Sequence, residues 1–293
     1  MKHKKNLNLQ YMDIKSNKDL IEVIYFLEKS FKWEKFKSNL LEQNLPKINR
    51  ELNHHGVMIR SGKDIVGAIL FFHQGFIDIN DEKKFIINMS GWYISQEYRG
   101  LPGIALLRYM LDKFDQNILT NYSANNIASK ILKGAGFKKM KLKRATILIS
   151  DCIFRFSKIR IRDVARDSFK INSNFEIKPD KGIGIRFLEV KIKNQIFNLI
   201  IKKRVLRRSL FGISFNWKIS SIVWSSNQEL VSKYWKQLAL KLLLKTKSMK
   251  LICDFSSHFP NEAKEKENEY LYYSKNSEID YIWPIQCEMN IFD

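Results

Sequence analysis

Apolar positions recur every third or fourth residue near the start of the chain, where Leu20, Ile24, Leu27 and Phe31 share one face. Ser16 or Asn17 can cap such an element, so a helix is predicted from there to about Phe31. The period then falls to two. Residues 57–60 and 64–72 are short apolar runs joined by Ser61-Gly62-Lys63, whose glycine can take the positive φ of a tight turn, and together they predict a hairpin. A polar stretch at 78–84 leads into a third run at 85–95, so three antiparallel strands are expected in succession. After a glycine-bearing turn at 99–103 the period returns to nearly four, with Ile104, Leu107, Met110, Leu111 and Phe114 on one helical face. A short strand at 117–121, a helix at 124–133 closed by Gly134 and Gly136, and a strand-like run at 137–150 complete the first half.

Between 151 and 180 the pattern is basic and irregular, with Pro179 and Gly182 near its end, which reads as a connection. Strand-like runs resume at 184–190, 196–202 and 219–224. A helix is predicted at 228–245, with Leu230, Tyr234, Trp235, Leu238 and Leu242 facing inward. A strand at 251–255, a solvated charged stretch at 261–269 and a closing strand at 279–292 follow. The expected class is α/β (α+β): a mixed, mostly antiparallel sheet flanked by helices over 1–150, a connection over 151–180, and a second α/β half over 181–293. That second half repeats the order of strands, helix and strand without any residue-level repeat.

Composition adjusts this picture in three ways. An apolar fraction of 45% in 293 residues supplies a genuine core for one large domain or two ordinary ones. The longest apolar runs, 65–72 and 196–201, fall far short of the roughly 20 residues that span a bilayer. Residues 1–10 are basic and polar, with no apolar segment before a small-residue cleavage site, so no secretory signal is read and a cytoplasmic location is expected. A formal charge of +21 favours acidic partners. Its basic residues are scattered, however, and do not form a stripe, so the reading is a solvated basic surface with no nucleic-acid partner expected. Cys152, Cys253 and Cys287 are odd in number and far apart, which fits neither a disulfide framework nor a zinc site.

The segment from Trp92 to Leu107 carries the most chemistry. A strand runs into a tight turn and then a helix, so free backbone amides converge where the helix dipole is positive, an arrangement suited to a pyrophosphate. The same pattern also serves as a plain strand-to-helix connection in many α/β proteins.

Three pieces of sequence in order, Glu97-Tyr98-Arg99-Gly100 before a helix, Asn125-Asn126-Ile127-Ala128, and Gly134-Ala135-Gly136-Phe137, resemble the GNAT acyl-CoA N-acyltransferase superfamily. Trp92-Tyr93-Ile94, Thr120-Asn121 and Ile279-Asp280-Tyr281 resemble GNAT proteins of similar length associated with bacterial capsule and exopolysaccharide loci. The first resemblance covers about half of the chain and implies a GNAT fold there, with the second half as a degenerate GNAT-like lobe. It implies acetyl-CoA or another acyl-CoA as co-substrate, no metal, and a small-molecule or sugar-nucleotide acceptor. The backbone at Arg99, Gly100, Leu101, Gly103 and Ile104 would hold the coenzyme pyrophosphate. Trp92, Tyr93 and Ile94 would pair with the pantetheine arm, and Asn125 would offer its side-chain amide to it. The plain readings are a Trp and an Ile in the core and an Asn capping a helix.

This sequence departs from the family pattern at three positions. Pro102 and Ile104 stand where the loop usually has glycines; proline removes an amide donor and isoleucine cannot take positive φ. Leu132 stands where many members carry a tyrosine that protonates the departing thiolate. Acyl transfer to an amine needs a neutral attacking nitrogen, a donor for the tetrahedral oxyanion and a proton for sulfur, the last being the most dispensable. Ser90, Tyr93, Tyr122, Ser123 and Glu97 lie near strand ends bordering the expected gap. Glu97, the only carboxylate among them, is either a water-mediated base or a solvated loop residue. His54 and His55 are adjacent and make a poor metal pair; neither they nor His73 has a Cys or carboxylate cluster to complete a site. Asp254 and His258 flank a strand end and read as a polar loop or a substrate-reading edge. The leading expectation is acyl transfer to a sugar or sugar nucleotide in surface-polysaccharide synthesis. A Fem-type tRNA-dependent aminoacyltransferase and a non-catalytic binding module are the competitors.

Overall fold

The structure is a computed structural model that describes residues 8–79, 81–140, 142–152, 158–165, 175–176, 185–210, 213–255, 259–261, 263–267 and 270–275. It opens with a strand, β1 (Leu9–Ile14), ahead of the expected helix α1 (Asn17–Phe31). The Ser16 hydroxyl accepts from Asp19 N and caps α1. Leu20, Val23, Ile24 and Leu27 form its buried stripe, while Phe31, expected inward, is 40% exposed. A second helix, α2 (Lys35–Ile48), follows and buries Leu41 and Leu45. The meander β2 (Gly56–Ser61), β3 (Asp64–Ile79) and β4 (Glu82–Ile94) is the three-strand unit expected from the pattern. Gly62 takes φ 63° in the first turn. Then come α3 (Leu101–Lys113), β5 (Ile118–Asn121), α4 (Asn126–Gly134), β6 (Lys138–Lys139) and β7 (Lys143–Leu148). Further on lie β8 (Ile159–Asp163), β9 (Phe175–Glu176), β10 (Ile185–Ile192), β11 (Gln195–Leu210) and β12 (Ile213–Ser225). The last elements are α5 (Gln228–Lys233), α6 (Trp235–Thr246), β13 (Lys250–Phe255), β14 (Lys264–Glu267) and β15 (Leu271–Tyr273).

Two mostly antiparallel sheets result. One runs β1-β2-β3-β4-β5-β15-β6, with β9 beside β3; the other runs β8-β10-β11-β12-β13-β7-β14. Each has four successive antiparallel strands, a helical crossover and a parallel fifth strand, β5 beside β4 or β13 beside β12. The strand next to that fifth one comes from the other half of the chain. β15 inserts between β5 and β6, and β7 pairs with β13. The run 137–150, read as one strand, therefore divides into β6 and β7, which belong to different sheets. The stretch 151–180 contains β8, and the charged stretch near 264–267 is the edge strand β14. The predicted helix at 228–245 is interrupted at Tyr234. The closing strand expected at 279–292 lies outside the described residues.

Helices α3 and α4 cover one face of the first sheet, where Leu106, Leu107, Met110 and Leu132 meet Ile69, Phe71, Ile87 and Met89. The other face buries Leu20, Ile24, Leu27 and Leu41 against Met58, Ala68, Leu70 and Phe72. Where the halves exchange strands, Arg144 of β7 donates to Asp254 of β13 through Nε at 2.7 Å and Nη2 at 2.8 Å. The Tyr270 hydroxyl donates to the same carboxylate at 3.1 Å, and its ring packs edge-on against Tyr122 at 4.9 Å. Asp254 is thus buried within β13 and held in an ion pair, where a polar loop or a substrate-reading edge was expected at the strand end. His258 lies outside the described residues. Cys152 and Cys253 are buried and unpaired, and burial pushes the Cys152 thiol up to about 11. Among the described residues no helix is long and apolar enough to cross a membrane.

Candidate active site

The parallel ladder between β4 and β5 is short. Residues 86–88 pair with 118–120, and β4 then continues to Ile94 without its neighbour. The cause lies within β4: Gly91, at φ 58°, and Trp92 together stand opposite the single residue Ile69 of β3. Such a bulge bends and twists the strand that carries it. At the base of the opening the Asn121 side chain donates Nδ2–H to Met89 O at 3.1 Å, so a side chain ends the ladder where a backbone pair would extend it.

The turn into α3 sits at the open end. Gly100 is its N-cap with φ 99° and ψ −126°, and the first helical bond runs from Ile104 N to Gly100 O at 3.2 Å. The amides of Gly100, Leu101 and Gly103 precede that bond and remain available. Pro102 occupies the first turn, where its fixed φ suits the helix and its missing N–H costs no helical bond. A Cβ on Gly100 would meet nothing within 4 Å, so the space before the loop is open. A Cβ on Gly103 would lie 3.2 Å from Ile94 Cγ1, so this glycine seats the helix on the end of β4. Ile104, expected on the inner face, is 50% exposed, because Gly103 takes the inward position. The helix gives Ile104 no need for positive φ. Arg99 ties the loop to the strand: its Nε donates to Ile94 O at 3.3 Å and its guanidinium lies 5.8 Å from the Tyr93 ring centroid.

The other nominated residues divide by location. Asn125 caps α4, its Oδ1 accepting from Ile127 N at 3.1 Å and Ala128 N at 2.9 Å, which leaves only its Nδ2–H groups for a ligand. Tyr93 lies half-buried against Phe26 and Phe31, with ring centroids 5.8 and 5.1 Å away, and Phe31 stacks on Trp33 at 5.2 Å. Trp92 packs toward the α3 side of the sheet, its indole Nε1 buried without a partner. Ser90 is buried on β4. Tyr122 is 4% exposed, its ring packed edge-on against Tyr270. Glu97 is exposed on the short turn Gln96–Tyr98. Leu132 is fully buried between α4 and the sheet. Burial holds the His54, His55 and His73 imidazoles below their ordinary pKa, favouring their neutral forms.

Three features escaped the sequence. Gly91 sets the bulge, and a glycine inside an apolar strand run was the available sign of it. Gln74 bulges from β3 and donates Nε2–H to Thr120 Oγ1 at 3.3 Å, crossing beneath β4, while its Oε1 is buried with no partner. The wall of Phe31 and Trp33 beside Tyr93 depends on the path of the chain after α1, which no local pattern specifies.

The second half repeats the bent strand but closes the loop. β12 pairs with β13 over 219–222 and 250–253, and Val223 is an extra residue opposite β11. Here Ser226 N donates to Asn198 O at 3.0 Å, Asn227 N to Ser225 Oγ at 3.1 Å, and Leu230 N to Asn227 Oδ1 at 2.9 Å. The N-cap and third-position amides left open in the first half are satisfied internally in the second.

The fold recurs in solved structures. A GCN5-related N-acetyltransferase from Anabaena variabilis superposes with a TM-score of 0.61 at 12% identity, covering 90% of this chain and 72% of that one. The chain has the GNAT fold. A second GCN5-related N-acetyltransferase, from Kribbella flavida, gives 0.56 at 12% identity over 90% and 70% of the two chains. A probable N-acyltransferase from Enterococcus faecalis gives 0.56 at 10% identity over 90% and 72%. No protein-family model and no curated protein matches the sequence. The GNAT likeness extends over both halves.

Proposed function

We propose that this GNAT-fold chain is an acyl-CoA-dependent acyltransferase whose co-substrate lies in the first half. The observation that carries the proposal is the coincidence of two openings at one end of the sheet. β4 leaves β5 after Asn88, and the amides of Gly100, Leu101 and Gly103 are unspent beside that gap. The amides suit a diphosphate at a helix start. Beyond Asn88 no strand pairs with β4 on the β5 side, and apart from Ile94 O, which Arg99 Nε engages, its edge at Trp92, Tyr93 and Ile94 suits an extended amide-bearing arm. Leu101, Ile104 and Ile127, exposed by 81, 50 and 73% on the first turns of α3 and α4, give the mouth an apolar rim.

The chemistry follows from a thioester held there. A neutral amine or a hydroxyl attacks the carbonyl carbon, the carbonyl oxygen takes up negative charge, and the C–S bond then breaks to release the coenzyme thiolate while the nucleophile gives up its proton to water. Backbone N–H groups on the open edge of β4 are the donors placed to meet that oxygen. Leu132 supplies no proton to sulfur, so the thiolate leaves unaided or through water. The acceptor is assigned to an amino or hydroxyl group of a sugar or sugar nucleotide, in surface-polysaccharide synthesis. The aromatic wall of Tyr93, Phe31 and Trp33 can stack against a sugar face, and Ser90 lies on the same strand.

Melting with and without coenzyme A tests the binding step. Ligand at about 100 times its Kd adds about 2.7 kcal/mol of stability. No rise in Tm at millimolar coenzyme A removes the proposal. Incubation with acetyl-CoA and nucleotide-linked amino sugars, followed by mass spectrometry, tests transfer. A binding module without turnover is the second reading, favoured by Leu132 and by the donor missing at Pro102; binding without any product mass would select it.

A further inference from the structure

Arg99 touches three parts of the site at once. Residues 96–98 form a single tight turn after β4, with Tyr98 N donating to Ser95 O at 2.9 Å, and this folds Arg99 back onto the strand that precedes it. There its Nε donates to Ile94 O at 3.3 Å. Ser95 N donates to Val66 O at 2.9 Å, so alternation along the antiparallel ladder turns the N–H and C=O of Ile94 to the open side of β4, away from β3. Arg99 thus holds a carbonyl on the edge where an extended arm would pair. Its guanidinium carbon lies over the Tyr93 ring, 5.8 Å from the centroid, and that ring meets Phe26 and Phe31 edge to face. Gly100, the next residue, begins the turn with the open amides. Among the described residues no carboxylate pairs with Arg99 and Ile94 O is its one hydrogen-bond acceptor, so its terminal nitrogens keep their N–H donors.

We infer that Arg99 is a positioning residue through which the bound coenzyme uncovers the acceptor wall. With the coenzyme lying as proposed above, on which this assignment rests, an amide N–H of the arm takes Ile94 O and the diphosphate sits at the Gly100 turn. Arg99 then exchanges one bond to a carbonyl and one exposed cation–π contact for the anionic oxygens of a phosphate, which a guanidinium can grip with two parallel N–H bonds. The guanidinium leaves Tyr93, and the ring face that it covered is open to a sugar. Without coenzyme the same face stays capped.

The test uses the full chain with fluorotyrosine at its eleven tyrosines, Tyr93→Phe identifying the relevant ¹⁹F signal, and coenzyme A as the probe. In the unchanged protein that signal is expected to shift saturably, with the Kd that calorimetry gives for coenzyme A. In Arg99→Gln it should stand, without ligand, close to where the coenzyme-bound unchanged protein has it, and saturating coenzyme A should no longer shift it. Arg99→Lys, which restores a cation, should recover most of the shift, a rescue that loss of structure alone does not give. Coenzyme A that binds while the Tyr93 signal stays fixed overturns the inference and leaves acyl transfer standing, as does an equal shift in Arg99→Gln. No binding of coenzyme A to the unchanged protein overturns both.

Discussion

Gly100 and Pro102 decide how many donors the loop before α3 can present. Gly100 holds φ 99° and ψ −126°, a conformation that L side chains rarely adopt, in open space. Gly100→Val is therefore expected to cost about 1–3 kcal/mol by strain and to weaken coenzyme A binding sharply. Pro102→Ala should do the opposite: it restores an N–H to the cradle, and a hydrogen bond to a charged group contributes about 1.5–3 kcal/mol. Titration calorimetry should show coenzyme A binding tightened about tenfold or more; an unchanged Kd would mean the diphosphate does not reach this turn. At this scale the turn before α3 was legible in the sequence, as were the two glycines, Gly100 and Gly103, that shape it. Pro102 and Ile104 look like defects when a glycine pattern is laid along the chain. In three dimensions Gly100 takes the positive φ and Gly103 the close approach to Ile94, so neither role falls on them. The orientation of Tyr122 was not legible because Tyr270, which packs on it, lies far along the chain.

Elements with a clean period were readable, and those without one were not. The stripe of α1, the β2–β3 hairpin, α3 and α4 all have enough apolar positions on one face to announce themselves. α2 buries chiefly Leu41 and Leu45 and carries Pro46 in its last turn, so its pattern is faint. β8 alternates Ile and Arg, and β14 reads Lys-Glu-Lys-Glu; both are edge strands, whose charges hide a strand by making it resemble a loop. β7 was visible as a strand, but no local signal tells which sheet it joins. Its anchor there is Arg144, bidentate to the buried Asp254. Arg144→Ala takes the bidentate guanidinium away from that carboxylate, and removing one partner of a buried pair costs about 3–5 kcal/mol. Urea denaturation should register a loss of about 3 kcal/mol, with Asp254→Asn milder because the charge it leaves, on Arg144, is 26% exposed and reaches water. Loss below about 0.5 kcal/mol would reduce the pair to a surface ion pair.

The two sheets depend on each other because each is completed by a strand from the other half of the chain. A boundary near residue 150 separates the halves in sequence, yet β7 lies in the second sheet and β15 in the first. Consider residues 1–150 expressed alone. β7 loses β13 and β14, and β5 and β6 lose the strand between them, leaving open edges in the first sheet. The burial of Tyr270, Leu271 and Tyr272 is lost as well. At about 2 kcal/mol for each large side chain withdrawn from water, that alone amounts to about 6 kcal/mol, against the total of about 5–15 kcal/mol that holds a typical domain together. The fragment is therefore expected to show no cooperative melting transition by circular dichroism, although it contains the whole Gly100 loop and most of the β4–β5 opening. Co-expression with residues 151–293 should restore one transition and, with it, any stabilisation by coenzyme A. A monomeric 1–150 fragment that melts cooperatively would show that the exchanged strands are dispensable; one that also binds coenzyme A would make the second half an addition to the acyl-transfer fold instead of part of its foundation.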